Sequence, residues 1–323
     1  MDSVPFDFCL NVIDVIGTVD LGCDDWDVMQ ALTGRWRAAA KKYEDNGRRL
    51  SITVNFDEGK WDYTVLEVTD EDSLDEMLAR NPRFLLFDTI DIGCRTHTAG
   101  ISDEFMATCS KEYVFNRLIP FLVRQLRPWN HFSFLSNLSK EHALMFFDAF
   151  LNCKGFRPRL YSLDLPYFGP ESEQFLTTML EGDSILGWLS LIGWPHSEAV
   201  ERLVLKFMSR RMSHLSIHDQ PYHTVFHAEE PLKLNSTILK AVFDAWYRVE
   251  KSEMFSASAP WNGDLQPLLS IPVPPDVHRT LLQPKRKGGD ESFIVWTKKN
   301  MTSLLCRITL GSVEFSDEAY DKV

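Results

Sequence analysis

Four short runs of alternating character recur at near-constant spacing, and they constrain the fold more than any other feature of the chain. They read Phe132-Ser133-Phe134-Leu135, Leu160-Tyr161-Ser162-Leu163-Asp164-Leu165, Leu186-Gly187-Trp188-Leu189-Ser190-Leu191 and His214-Leu215-Ser216-Ile217. Their centres, Phe134, Ser162, Leu189 and Leu215, lie 28, 27 and 26 residues apart. Apolar residues at every second position are the signature of a strand with one buried face. Helical patterns fill the gaps: His142 to Leu151 with Leu144, Phe147 and Leu151, then Phe175 to Leu180, then Val200 to Met208 with Leu203, Leu205 and Phe207. A strand, a helix and a second strand in so short a span make a compact βαβ step. Parallel strands need such a crossover, so stacked steps build a parallel sheet with helices on its outer face.

The flanks extend the pattern. Leu50 to Phe56 and Tyr63 to Val68 alternate around Asp57-Glu58-Gly59-Lys60 and read as a β-hairpin. An acidic helix is expected over Ser73 to Arg80. A strand near Phe87 with the helix Tyr113 to Leu126 behind it fits as an enlarged first repeat unit. After the amphipathic helix Ile238 to Val249, the segment 252–289 is rich in proline, including Pro272, Pro274 and Pro275, and is expected to hold little besides a strand at Leu268 to Ile271. Ser292 to Thr297 and Ser303 to Leu310 read as a terminal hairpin covering the open end of the repeat sheet. The expected class is α/β (α+β overall). Its segments are a helical module over 1–47, a hairpin and helix over 48–83, a repeat domain over 84–250 and a capping segment over 251–323. The repeat resembles a leucine-rich-repeat horseshoe of irregular type. It lacks the asparagine ladder of the regular motif, so an open, doubly wound α/β sheet fits the same spacing.

Charge and motif content narrow the functional classes. With 46 acidic against 34 basic side chains, the formal charge of -12 repels nucleic acid phosphates. Lys285-Arg286-Lys287 beside two glycines reads as a solvated loop. No uncharged run approaches the roughly 20 residues that cross a bilayer, and Asp2 and Asp7 stand where a secretory signal carries basic residues. The expectation is an intracellular protein without membrane or nucleic acid partners. Cys9, Cys23, Cys94, Cys109, Cys153 and Cys306 form no Cys-x-x-Cys pair and read as reduced thiols. His214, His218, His223 and His227 have a spacing that superficially suits a metal, but Pro221 interrupts any helix that would bring them together, so no metal is expected. Ser190 lacks the second glycine of a nucleophile elbow, and phosphate-binding glycine loops are absent. Asp164 and His218 near strand ends are too ordinary to argue for catalysis. No cofactor and no enzymatic activity are expected.

The N-terminus is more specific. Val4-Pro5 opens a short helix through Phe8, Val12 and Ile16 at spacing four, and a second helical run carries Trp26, Met29, Leu32, Trp36, Ala40 and Tyr43 and closes on Thr33-Gly34-Arg35-Trp36-Arg37-Ala38-Ala39. This pattern, over about residues 3 to 45, resembles an F-box. Together with the hairpin, the irregular repeats and Phe293-Ile294-Val295-Trp296 near the end, it is similar to nematode F-box proteins with F-box-associated domains. The link from Gly17 to Asp25 is longer and more acidic than the family's usual one. The resemblance implies a substrate-recruiting subunit of a Skp-cullin-F-box ubiquitin ligase. It implies contacts to a Skp-family adaptor, and through it a cullin, from Val4, Pro5, Phe8, Val12, Ile16, Leu32 and Trp36. An N-terminal cap on a stand-alone interaction scaffold has the same sequence appearance. In either case Tyr161, Trp188 and His214 are the candidates for contact with an unknown target protein, because alternation directs such side chains from the sheet.

Overall fold

The computed structural model describes residues 4–16, 31–57, 59–67, 79–93, 106–126, 130–154, 160–181, 185–210, 214–219, 230–249, 255–282, 291–299 and 302–317. The protein is mixed α/β, and its chain forms two compact units: Met1–Ser162 with Asp183–Ile185, and Leu163–Gly182 with Leu186–Val323.

In the first unit, helices α1 (Phe6–Ile16) and α2 (Gly34–Asn46) precede the strands β1 (Arg48–Asp57), β2 (Lys60–Glu67), β3 (Leu85–Gly93), β4 (Met106–Cys109) and β5 (His131–Phe134). The spatial order is β4-β2-β1-β3-β5. The hairpin β1-β2 is antiparallel with Val54 opposite Tyr63, whereas β1-β3 and β3-β5 are parallel. The strand near Phe87 therefore joins the hairpin, through β1, to the repeat strand β5. Helix α3 runs through Lys111–Tyr113, a π turn over Val114–Leu118 and Ile119–Gln125, and α4 spans Lys140–Asn152. The π turn ends just ahead of Pro120, whose missing N–H removes a helical bond. These helices bury their aromatic rings on the sheet: Phe87 meets Phe121 at 5.9 Å, Phe132 meets Phe150 at 4.9 Å and Phe134 meets Phe147 at 4.9 Å. All three contacts are edge-on, the arrangement favoured by the ring quadrupoles.

In the second unit the expected repeat is present. Strands β6 (Ser162–Pro166, whose first residue still belongs to the first unit), β7 (Trp188–Ile192), β8 (His214–His218) and β9 (Ser256–Trp261) alternate with α5 (Pro170–Met179), α6 (Glu198–Met208) and α7 (Ser236–Arg248). Helix α6 starts where Ser197 Oγ accepts from Val200 N at 3.1 Å, and α7 where Asn235 Oδ1 accepts from Ile238 N at 2.9 Å. The pairs β7-β8 and β8-β9 are parallel. Helix α5 packs beside α6, and α6 beside α7, so the crossovers share one face. Leu189, Leu191, Leu215 and Ile217 point into that face and are buried.

The proline-rich segment departs from expectation. Leu268 to Ile271 is not a strand: Gln266–Leu269 forms the short helix α8, while strands lie on either side as β9 and β10 (Val277–Leu282). The sequence Ser256-Ala257-Ser258-Ala259 is weak in strand propensity, and burial of Ala257 and Ala259 beneath the helices outweighs it. Pro260 is tolerated because it lies past Ser258, the last residue of β9 opposite β8, so no bond is lost on that edge. The terminal hairpin β11 (Ser292–Lys298) and β12 (Ser303–Ile308) acquires a third strand, β13 (Gly311–Ser316), which pairs antiparallel with β9. The order across this unit is β6-β7-β8-β9-β13-β12-β11-β10. The helix expected over Ser73 to Arg80 lies almost wholly outside the described residues.

One buried cation links β11 to α7. Lys298 is 7 % exposed, donates its ammonium to Trp246 O at 3.0 Å and Val249 O at 2.8 Å, and stands 4.5 Å from the Trp246 ring centroid. These carbonyls belong to the helix C-terminus, where the macrodipole favours positive charge. Burial nevertheless pushes the Lys298 amine below its usual range, an effect that Asp276 opposes. Phe243 anchors the same junction, 5.4 Å from Trp246 and 6.0 Å from Trp296. Phe243→Ala should cost about 3 to 5 kcal/mol, the range for a buried aromatic truncated without collapse. A urea titration of the variant against the parent, with tryptophan fluorescence as the probe, checks this as a lowered midpoint.

Candidate functional site

Two surfaces collect the residues that the sequence singled out. The first is built by α1 and α2. Pro5 is exposed and opens α1, its carbonyl accepting from Phe8 N at 3.1 Å and Cys9 N at 3.2 Å. Cys9, Leu10 and Ile13 fall on one side of the helix and are buried against Ala39, Ala40 and Tyr43 of α2 and against Phe84. The two alanines let the helices approach closely. Phe84 belongs to the 3-10 turn Pro82–Phe84 ahead of β3, and Tyr43 meets it edge-on at 5.0 Å, which ties the helical pair to the sheet of its own unit.

Phe8 points elsewhere. It is 52 % exposed, and its ring lies 6.2 Å from Trp36 at an interplanar angle of 83°. Val4, Leu32 and Trp36 are half-buried against the edge of the helical core, and Val12 is half-buried on α1. Arg35 donates to Val4 O at 2.8 Å and fixes the chain before α1. The structure thus brings Phe8 and Trp36 together with Val4 and Leu32 near them. The side chain of Ile16 lies outside the described residues, as do Trp26 and Met29. Phe8 and Val12 of the spacing-four stripe are not on the helix's buried face; that role belongs to Cys9, Leu10 and Ile13.

The second surface is the face of β7, β8 and β9 turned away from the crossover helices. Trp188, His214 and Ser256 form one row across the strands, and Ser190, Ser216 and Ser258 the next. Trp188, 41 % exposed, stacks on the His214 imidazole at 4.8 Å with an interplanar angle of 17°. His214 Nδ1 lies 2.9 Å from Ser256 Oγ. Ser216 Oγ lies 2.8 Å from both Ser258 Oγ and His218 Nε2. Trp188 and His214 are therefore adjacent, as their shared alternation predicts. Tyr161 precedes β6 in the first unit, out of phase with Ser162 and Asp164.

Of the serines of this face, the sequence singled out only Ser190, as a rejected nucleophile. Their signal was one Ser at the equivalent position of successive strands, obscured at Ser256 and Ser258 because β9 itself was not expected. His214 and His218 lie about 13 Å apart along an extended strand, which rules out a shared metal ion between them. Among the described residues no group of three His, Cys, Asp or Glu is placed to hold a metal, and His223 and His227 lie outside those residues. The Ser216–His218 pair has hydroxyl–imidazole contact, but no described carboxylate hydrogen-bonds to His218. Of the cysteines described, Cys9 and Cys306 are buried and Cys109 and Cys153 half-buried, all as free thiols. Burial, then the charge of Asp62, pushes the Cys109 thiol up to about 11. Cys109 is thus a poor nucleophile at neutral pH.

No known protein family, curated protein or solved structure matches the chain. Among the described residues, no helix is long and apolar enough to cross a membrane.

Burial holds His214 below its ordinary value of 6.5, and Asp317 opposes the shift only in part. The imidazole is therefore neutral at pH 7, which suits a ring stacked on Trp188. A histidine whose folded value is depressed takes up a proton more readily when unfolded, so its contribution to stability is complete above 6.5 and is lost as pH falls toward the folded value. An NMR titration of the His214 ring should show a midpoint below 6.5, and His214→Gln should reduce the loss of stability between pH 6.5 and 5.

Proposed function

We propose that the chain is a substrate-recruiting subunit of a Skp-cullin-F-box type ubiquitin ligase. Its N-terminal helices dock a Skp-family adaptor, and its second unit presents a sheet face to a target protein. The observation that carries the reading is the division of labour on α1. Cys9, Leu10 and Ile13 suffice for the interior of the helical pair, so Phe8, with Trp36 edge-on beside it, is left at the surface. Exposed Phe8 beside half-buried Trp36, Val4 and Leu32 is the composition of an interface anchor. In the second unit, Trp188 is 41 % exposed over the buried His214 and supplies a candidate contact for a target protein.

The contact of Tyr43 with Phe84 favours a second reading, in which the helices only cap the sheet of their own unit and the chain is a stand-alone scaffold. Affinity capture of the full chain with purified Skp-family adaptor separates the two. Phe8→Ala and Trp36→Ala should each weaken capture by about 2 kcal/mol, roughly 30-fold in affinity, and for the exposed Phe8 the thermal midpoint should change little. Leu10→Ala acts on the interior and should lower the midpoint instead. Full-strength capture by the Phe8→Ala, Trp36→Ala double variant, or no capture by the parent chain, sinks the ligase reading.

A further inference from the structure

The carboxyl ends of β8 and β9 open onto a cleft of about 480 Å³, within the roughly 300 to 1,000 Å³ of small-ligand sites. In open parallel sheets this is the end at which ligands bind. One wall is the segment at Pro231, held by a bridge to Pro195, by His196 N donating to Glu230 O at 2.8 Å and by Leu232 N donating to Trp194 O at 2.8 Å. The other wall is the turn after β9. Gly263 takes a φ of 83° there, Asn262 Oδ1 accepts from Asp264 N at 3.0 Å, and Asp264 Oδ1 accepts from Gln266 N at 2.9 Å. Trp261, the last residue of β9, donates its indole N–H to Asp264 O at 3.0 Å.

That bond decides what Trp261 offers. Its donor is spent inside the turn, and among the described residues no ring or cation is stacked on the indole, so what it has left to offer an occupant is its ring. Two carboxylates stand at the same cleft. Asp264 has one oxygen committed to the turn, and Asp219 makes no hydrogen bond or ion pair among the described residues. Pro231 and Pro260 supply apolar lining. An aromatic ring beside two exposed carboxylates matches a planar, weakly hydrated cation that stacks and donates in a fork. Lys233, also lining the cleft, is exposed and has no acidic partner among the described residues, so it opposes such an occupant. The formal charge of -12 draws basic partners toward the protein.

We propose that this cleft binds an arginine side chain of a basic peptide segment, with the guanidinium over the Trp261 face and directed at Asp219 and Asp264. The proposal goes beyond the adaptor reading and does not depend on it, because the N-terminal helices take no part in the cleft. The test is NMR titration of the full chain with acetyl-Gly-Arg-Gly-amide and with its citrulline counterpart, followed at the Trp261 indole resonance. The arginine peptide should bind at least tenfold more tightly and lose affinity as salt rises. Asp219→Asn should weaken it and Lys233→Glu strengthen it, each about fivefold at low salt. Neither side chain holds the fold, so both variants report on the cleft, and a gain from Lys233→Glu cannot come from misfolding. Equal binding of the two peptides, no binding of either, or an unchanged affinity for Lys233→Glu overturns the proposal.

Discussion

The second unit depends on one constraint: the side chains of a strand alternate, and the crossover helices can cover only one of the two faces they define. Leu189, Leu191, Leu215 and Ile217 are each 4 % exposed or less beneath α5, α6 and α7. Fully burying each such side chain is worth about 1.5 to 3 kcal/mol. A slip of one residue in any strand would exchange this set for Trp188, Ser190, His214 and Ser216, so the register is strongly fixed. The same choice that builds the core therefore places Trp188, 41 % exposed, on the opposite face, above the buried Ser190 and His214. The helical crossover makes β8 and β9 parallel, and with that sets the end at which the Trp261 cleft opens.

The regular part of this design was legible in the sequence. Strands with leucine or phenylalanine at every second position, separated by helices near 27 residues apart, leave few alternatives, and β5 to β8 lie where the pattern placed them. What escaped notice had no such pattern. The inward residues of β9 are the alanines Ala257 and Ala259, whose small apolar area gives little periodic signal, and β10 follows three prolines within four residues. Both are strands because of what they pair with. Strand β9 is held between β8 and β13, a long-range partnership that local composition does not record.

The surfaces were legible in a similar, partial way. The adjacency of Trp188 and His214 followed from equal positions in consecutive repeats, and Tyr161 failed the same reasoning because it precedes its strand rather than lying within it. On α1, spacing-four periodicity marked the stripe Phe8, Val12 and Ile16, of which Phe8 is exposed and Val12 half-buried. A short helix with apolar residues on most sides needs its partner helix to decide which face is buried, and here Ala39, Ala40 and Tyr43 select Cys9, Leu10 and Ile13. The Trp261 cleft had no sequence signature, since its lining comes from three separated loops.

The Lys298 ammonium fixed on the carbonyls of Trp246 and Val249 has a consequence for how the second unit comes apart. It belongs to the antiparallel strands at the chain's end, yet it closes a helix of the parallel half. Detaching β11 strips α7 of its terminal partners and leaves a lysine binding niche open, while unwinding α7 leaves an ammonium buried without acceptors. Either half exposes a large penalty in the other. The parallel and antiparallel strands thus behave as a single cooperative folding unit rather than as a stable sheet with a removable flap.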